Sequence, residues 1–206
     1  MRRLRPVAYA VAAILGVALL VLAVDTLVVW REVAADDFRF QAAPSRQRAL
    51  WEDIGVLPSS LTASALGIED DLAYRRTTSL FTRAKPGRAP YPGPALAALR
   101  GQATLQLTRT SQAETDARRH SQLLNFLGTL PLDRRIQDPA ERASVLQTAI
   151  GTFQSAVRID PDNADAKTNL ELVLRISNFA AFPANQPSAE RGGGKRSGSG
   201  STGGGY

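Results

Sequence analysis

AIGTFQSAVRIDPDNADAKTNLELVL (Ala149–Leu174) places two amphipathic segments on either side of a turn. Val145, Leu146, Ala149, Ile150, Phe153, Ala156 and Val157 recur at helical spacing, and Pro139 can open the helix that carries them. Asp160 stands before Pro161 and is biased away from the α conformation, so the helix stops there. Asp160-Pro161-Asp162-Asn163 turns the chain, and Ala164–Ser177 reads as a second amphipathic helix. The unit is a helical hairpin.

Upstream, the same periodicity predicts helices broken by punctuators. Pro44 can open a short helix over Arg46–Ile54, and Ser60–Leu66 is another, stopped by Gly67. In Asp70–Ala84, the residues Ala73, Thr77, Leu80, Phe81 and Ala84 share one stripe, with Asp70 or Asp71 as the expected cap. KPGRAPYPGP (Lys85–Pro94) must be a loop, and Pro94 opens a helix with Leu96, Leu99, Ala103 and Leu107 on one face. The polar stretch Thr108–Ser121 continues that helix or bends it. LLNFLGTL (Leu123–Leu130) is apolar, and 131–138 is the next break. No sustained period-two alternation occurs, so the expected class is all-α. Residues 183–206 are rich in Gly and Ser, too poor in apolar side chains to offset ordering entropy, and are expected to be disordered.

At the N-terminus, VAYAVAAILGVALLVLAV (7–24) carries no charge, and LVVW (27–30) resumes after Asp25-Thr26. Ten of the eighteen residues are Val, Leu or Ile. At roughly 0.3–0.6 kcal/mol each they favour insertion by about 3–6 kcal/mol. We read 7–30 as one transmembrane helix with Trp30 in the interfacial belt. Asp25 is then expected near the far interface, snorkelling to water. Arg2, Arg3 and Arg5 precede the span, so the positive-inside rule places the N-terminus in the bacterial cytoplasm and the rest outside it. The competing reading is a signal peptide cleaved near Val33-Ala34-Ala35, although the apolar run exceeds the usual h-region. The expected organisation is a span over 1–30, a helical domain over 31–182 and a tail over 183–206.

Composition excludes much. The 206 residues carry 25 basic and 19 acidic side chains, a net of +6, yet residues 31–189 hold 19 and 17, close to balance. Nothing there argues for nucleic acid. Without Cys, and with His120 as the single His, disulfides, thiolate chemistry and thiolate or multi-histidine metal sites are out. His120 reads as a solvated residue, since the neighbouring Ser121 and Asp116 are ordinary helix neighbours. Lys195 fails the phosphate-loop pattern, because Ala189 and Arg196 occupy positions that need Gly and Ser/Thr. One Arg191-Gly192-Gly193 does not make an RNA-binding tail. The pairs Asp36-Asp37 and Asp70-Asp71 point different ways on a helix and read as solvated or capping groups. No cofactor, metal or catalytic residue is expected.

Ala149, Phe153, Ala156 and Pro161 stand at the small–aromatic–small–proline positions of a second helix that resembles the tetratricopeptide repeat. Leu170 and Leu174 continue the pattern into a following first helix, with Glu171 where the family has Gly. The likeness is best over 139–180. Thr77, Phe81 and Ala84 repeat the spacing once, and Phe126-Leu127-Gly128 looks like part of a first helix, although 22 residues separate Leu127 from Ala149, more than the family spacing. The resemblance implies a concave partner-binding groove at Asp165, Thr168, Asn169, Leu172 and Arg175. DNADAKTNLELVLRI (162–176) also resembles repeat proteins found beside MoxR-type AAA+ ATPases and von Willebrand A-domain membrane proteins, which implies an envelope assembly. The expected function is a noncatalytic, membrane-anchored interaction module that binds another envelope protein. The alternatives are an envelope hydrolase with a helical fold and a passive tether.

Overall fold

The computed structural model describes residues 4–44, 50–52, 54, 55, 57, 59–85, 93–132, 136 and 138–181, with side chains except at 4–8, 59–61 and 179–181. The Gly-rich tail, Arg2 and Arg3, and most of the proline-rich loop lie outside these residues. All regular structure among the described residues is α-helical: α1 (Leu4–Ala42), α2 (Ser59–Leu66), α3 (Glu69–Ala84), α4 (Pro94–Ala113), α5 (Ala117–Thr129), α6 (Pro139–Ile159) and α7 (Ala164–Ala181).

The first helix is the longest element. Its 39 residues extend about 58 Å at 1.5 Å per residue. It is long and apolar enough to cross a membrane, with a mean hydropathy of 2.6 over its most apolar 18 residues. Its apolar half is bare: Ile14, Val17, Leu19 and Leu20 are each more than 60% exposed. The helix does not stop with the apolar run. Its second half, 25–42, is a stalk on which the domain packs.

Each later helix packs against the next from α3 to α7, and α5 also meets α3 and α7. The result is a row of hairpins, α3–α4 and α5–α6, with α7 stacked last. Three apolar clusters hold it. Val29, Leu50, Trp51, Ile54, Ala63 and Leu72 join the stalk to α2 and α3. Phe81, Ala103, Leu107, Leu123 and Leu130 join α3, α4 and α5, with the Phe81 and Phe126 rings stacked at 4.2 Å. Leu146, Ala149, Ile150, Phe153 and Val173 join α6 to α7.

Caps set the boundaries. Asp116 accepts from the Arg119 N–H at 2.8 Å, Asp138 from Ala140 at 3.0 Å, and Asn163 from Ala166 at 3.0 Å. Gly67 sits at φ +66°, a conformation that favours Gly, and ends α2 as expected.

Several expectations are corrected. Within 46–54, the described residues 50–52 and 54 form no helix, and the Trp51 amide bonds to Asp36 of α1 instead of to a carbonyl of its own segment. Neither Asp70 nor Asp71 caps α3: the cap position is Ile68, and Glu69, Asp70 and Asp71 lie in the first turn, where the helix dipole favours them. Thr108–Ser121 splits into the end of α4 and the start of α5 around Glu114–Asp116. On α7, Val173 is the buried residue at 1% exposure, whereas Leu174 is 38% exposed. With Ala166 and Leu170, Val173 follows the face that α7 turns to α6.

Candidate functional site

Three places gather side chains that could do work: the junction of stalk and domain, the cleft beside it, and the outer face of α7. At the junction, Asp25, Glu32 and Asp36 share one face of α1, and Asp37 flanks it. Their carboxylates accept hydrogen bonds from the segment that folds back along the stalk. Asp36 accepts the Trp51 amide at 2.7 Å, Asp37 the Trp51 indole at 3.1 Å, and Glu32 the Gly55 amide at 2.8 Å. Asp25 accepts the Leu57 amide at 2.9 Å and the Thr62 hydroxyl. The Trp51 amide and the Thr62 hydroxyl, both buried, would otherwise be orphaned against apolar packing.

This overturns the reading of Asp25 as a snorkelling group. It is 1% exposed, and what covers it is protein. It overturns the solvated reading of Asp36 and Asp37 as well, since Asp36 is buried at 7% exposure and both hold Trp51. Two left-handed residues shape the segment. Gly55 lies at φ +97°, and a Cβ there would stand 2.9 Å from Val29 Cγ2 and 3.0 Å from Asp25 Oδ1. Trp51 lies at φ +58°, which costs a non-Gly residue about 1–3 kcal/mol. Its surroundings compensate: the amide bonds to Asp36, the carbonyl accepts from Arg76 Nε at 2.6 Å, and the ring meets Phe40 edge-on at 5.4 Å.

Beside the junction is an open cleft of about 310 Å³, walled by Phe40, Trp51, Tyr74, Arg75 and Arg119. Its cations are committed to neighbours. Arg75 pairs with Asp37 and Asp71, and Arg119 with buried Glu114 at 3.2 Å and Asp71 at 3.5 Å. Burial alone would lower the Arg75 guanidinium, but the bonds to Asp37 and Asp71 outweigh it and hold its pKa above the ordinary value. Burial pushes the Tyr74 phenol up, against the nearby charge of Arg119. An unfolded tyrosine therefore ionises before the folded one. Stability contributed by the neutral phenol is intact below the ordinary phenol pKa and is lost as pH rises through it to the raised folded value. The melting temperature of the wild type should fall more steeply than that of Tyr74→Phe from about pH 9 to 11; parallel curves would refute the assignment.

The groove residues expected on α7 recur at helical spacing along one side of it. Asp165, Thr168, Leu172 and Arg175 are exposed. Asn169 is half-buried, because its Nδ2 donates to Asn125 Oδ1 of α5 at 2.8 Å, so it ties two helices together. Arg175 pairs with Glu171 one turn away. Among these polar groups lie two open apolar side chains, Leu172 at 53% exposure and Ile176 at 42%. Of the packing residues, Ala149, Phe153 and Ala156 are wholly buried, and the ring of Phe153 lies so close to Gly128 that a Cβ there would be 2.7 Å away. Pro161 is exposed in the turn.

His120 and Ser121 do not form a nucleophile pair. The Ser121 hydroxyl is buried, donates to the Ala156 carbonyl at 2.8 Å and accepts from Asn163 Nδ2 at 2.8 Å. Among the described residues, no group of three or more His, Asp or Glu could hold a metal ion. Sequence reading missed the junction, whose one local signal was four carboxylates within the thirteen residues that follow the uncharged apolar run. No family model, no curated protein and no solved structure matches the chain.

Proposed function

We propose that the protein is a noncatalytic, membrane-anchored interaction module of the bacterial envelope. α1 is its anchor, with the N-terminus in the cytoplasm and the helical domain outside. The hairpin row is its docking body. The observation that carries this reading is the outer side of α7. One face of that helix is sealed by α6 through Ala166, Leu170 and Val173, while Leu172 and Ile176 stay open among the described residues. Elsewhere in the row, each first helix of a hairpin is covered by a second. The tight contact of Phe153 with Gly128, and the small residues beside it, support tetratricopeptide-like packing, in which such first helices bind partner segments. The partner fitted to this face is another envelope protein presenting an amphipathic helix, whose apolar side would meet Leu172 and Ile176. A von Willebrand A-domain protein is the candidate that the sequence resemblance implies.

The test uses the full chain in its own membranes. A photo-crosslinker at Ile176 should yield one saturable adduct, absent when it is placed at Thr104 on α4. Leu172→Asp should abolish the adduct without moving the melting temperature, because the side chain is 53% exposed. Equal adducts at both positions would leave only a passive tether. A reporter fused after Tyr206 that is active in the cytoplasm would reverse the topology.

A further inference from the structure

We propose that the stretch Thr62–Ile68 at the end of α2, together with Leu27 and Trp30 of α1, forms a second and shallow contact with the bilayer that α1 crosses, so that the domain lies on the lipid surface. This rests on reading α1 as an anchor. Asp25 follows directly on Val24, the last residue of the uncharged run, and its carboxylate is bound by the Leu57 amide and the Thr62 hydroxyl. α2 is therefore fastened at the depth where the apolar run ends. A hydrocarbon core of about 30 Å takes roughly 20 residues, so 7–24 nearly fills it. The headgroup layer beyond is about 5–7 Å thick, and Asp25–Trp30 rise about 8 Å through it. α2, held against this stretch, occupies the same layer.

The chemistry of the segment fits that depth. Ile54–Ile68 (IGVLPSSLTASALGI) contains no charged residue, although 21% of the chain is charged and about three would be expected in fifteen positions. A segment of this composition brings no ion that the headgroup layer would have to desolvate. Leu27 is 67% exposed, Trp30 73% and Leu66 41%. Between α1 and Leu66 lies an open notch of about 350 Å³, walled mainly by Val29, Trp30, Val33, Ile68 and Leu72, with Thr26 and Asp71 also in its wall. In water Leu27, Trp30 and Leu66 would leave their apolar surface exposed. At the interface, lipid covers them, and an indole such as that of Trp30 is at home there. The occupant is lipid because the surface continues the span without a break: whatever covers Leu66 must sit among the headgroups.

The chain contains no Cys, so single-Cys variants report cleanly. An environment-sensitive fluorophore would be placed on Val17→Cys, Leu66→Cys or Leu172→Cys of the full chain, in vesicles of phosphatidylethanolamine and phosphatidylglycerol. Quenching by iodide is compared with quenching by lipids carrying a nitroxide in the headgroup or deep in the acyl chain. Val17 should respond to the deep nitroxide, Leu66 to the headgroup nitroxide with loss of iodide quenching, and Leu172 to iodide alone. Iodide quenching at Leu66 equal to that at Leu172, with Val17 still deep, overturns the surface contact and leaves the anchor. A Leu66 label shielded from iodide and from both lipids would mean that protein covers it, which also overturns the proposal. Iodide access at Val17 would overturn the anchor itself, and this inference with it.

Discussion

Replacing Phe153 with alanine should destabilise the α5–α7 end of the domain by roughly 3–5 kcal/mol, the range for emptying a fully buried aromatic site. The ring is 0% exposed and lies against the bare backbone of Gly128, so its removal opens a hole between two helices that nothing nearby can collapse to fill. The three apolar clusters are separate, so the loss should be local. Hydrogen exchange on the full chain in detergent should speed up through α5, α6 and α7 while the stalk and α2 keep their protection. Gly128→Ala tests the same contact from the other side. Its Cβ would stand 2.7 Å from Phe153 Cε1, and overpacking of this kind costs about 1–3 kcal/mol. Combined with Phe153→Leu, the glycine substitution should cost less than the sum of the two, because the smaller side chain leaves room for the methyl. Strict additivity, or a uniform loss of protection along the chain, would contradict the packing.

Asp25→Ala should act in two opposite ways, and the balance is the informative part. Removing the charge makes α1 easier to insert, by at most about 2.5–3.5 kcal/mol for a carboxylate in mid-membrane. Insertion is already favourable on the apolar run, so extraction of the protein from membranes should not change. The junction, by contrast, should weaken. The half-buried Leu57 amide and the buried Thr62 hydroxyl lose their acceptor, and an unsatisfied buried donor costs about 1–3 kcal/mol. Exchange at the Gly55 and Leu57 amides should accelerate sharply, while α6 and α7 remain as protected as in the wild type. Asp25→Asn keeps one oxygen acceptor and should fall between the two. Unchanged exchange at Leu57 would show that Asp25 does not hold the segment.

Much of the fold was legible in the chain because helices bury one stripe, and a stripe is a local pattern. Pro94, Pro139 and the turn at Pro161 marked boundaries that the structure keeps, and Ala149, Phe153 and Ala156 lie in the core as their spacing required. Where a stripe was ambiguous, the crossing of neighbouring helices decided. Val173 and Leu174 are adjacent and both apolar, and only the angle at which α7 meets α6 puts Val173 inside. Asn169 looked like a groove residue because nothing in the sequence announces that Asn125, 44 positions earlier, is its partner.

The amino-acid sequence by itself determined an uncharged N-terminal run, an all-helical body and the register of its hairpins, since periodicity and prolines act within a few residues. Only the tertiary structure decided what the carboxylates do. Asp25, Glu32, Asp36 and Asp37 bind donors of the segment 51–62 that lie 14 to 37 residues away, most of them backbone amides. A backbone amide is the same at every non-proline position, so such a partner leaves no mark in the sequence. It exists as a binding group only once the chain has folded back along the stalk.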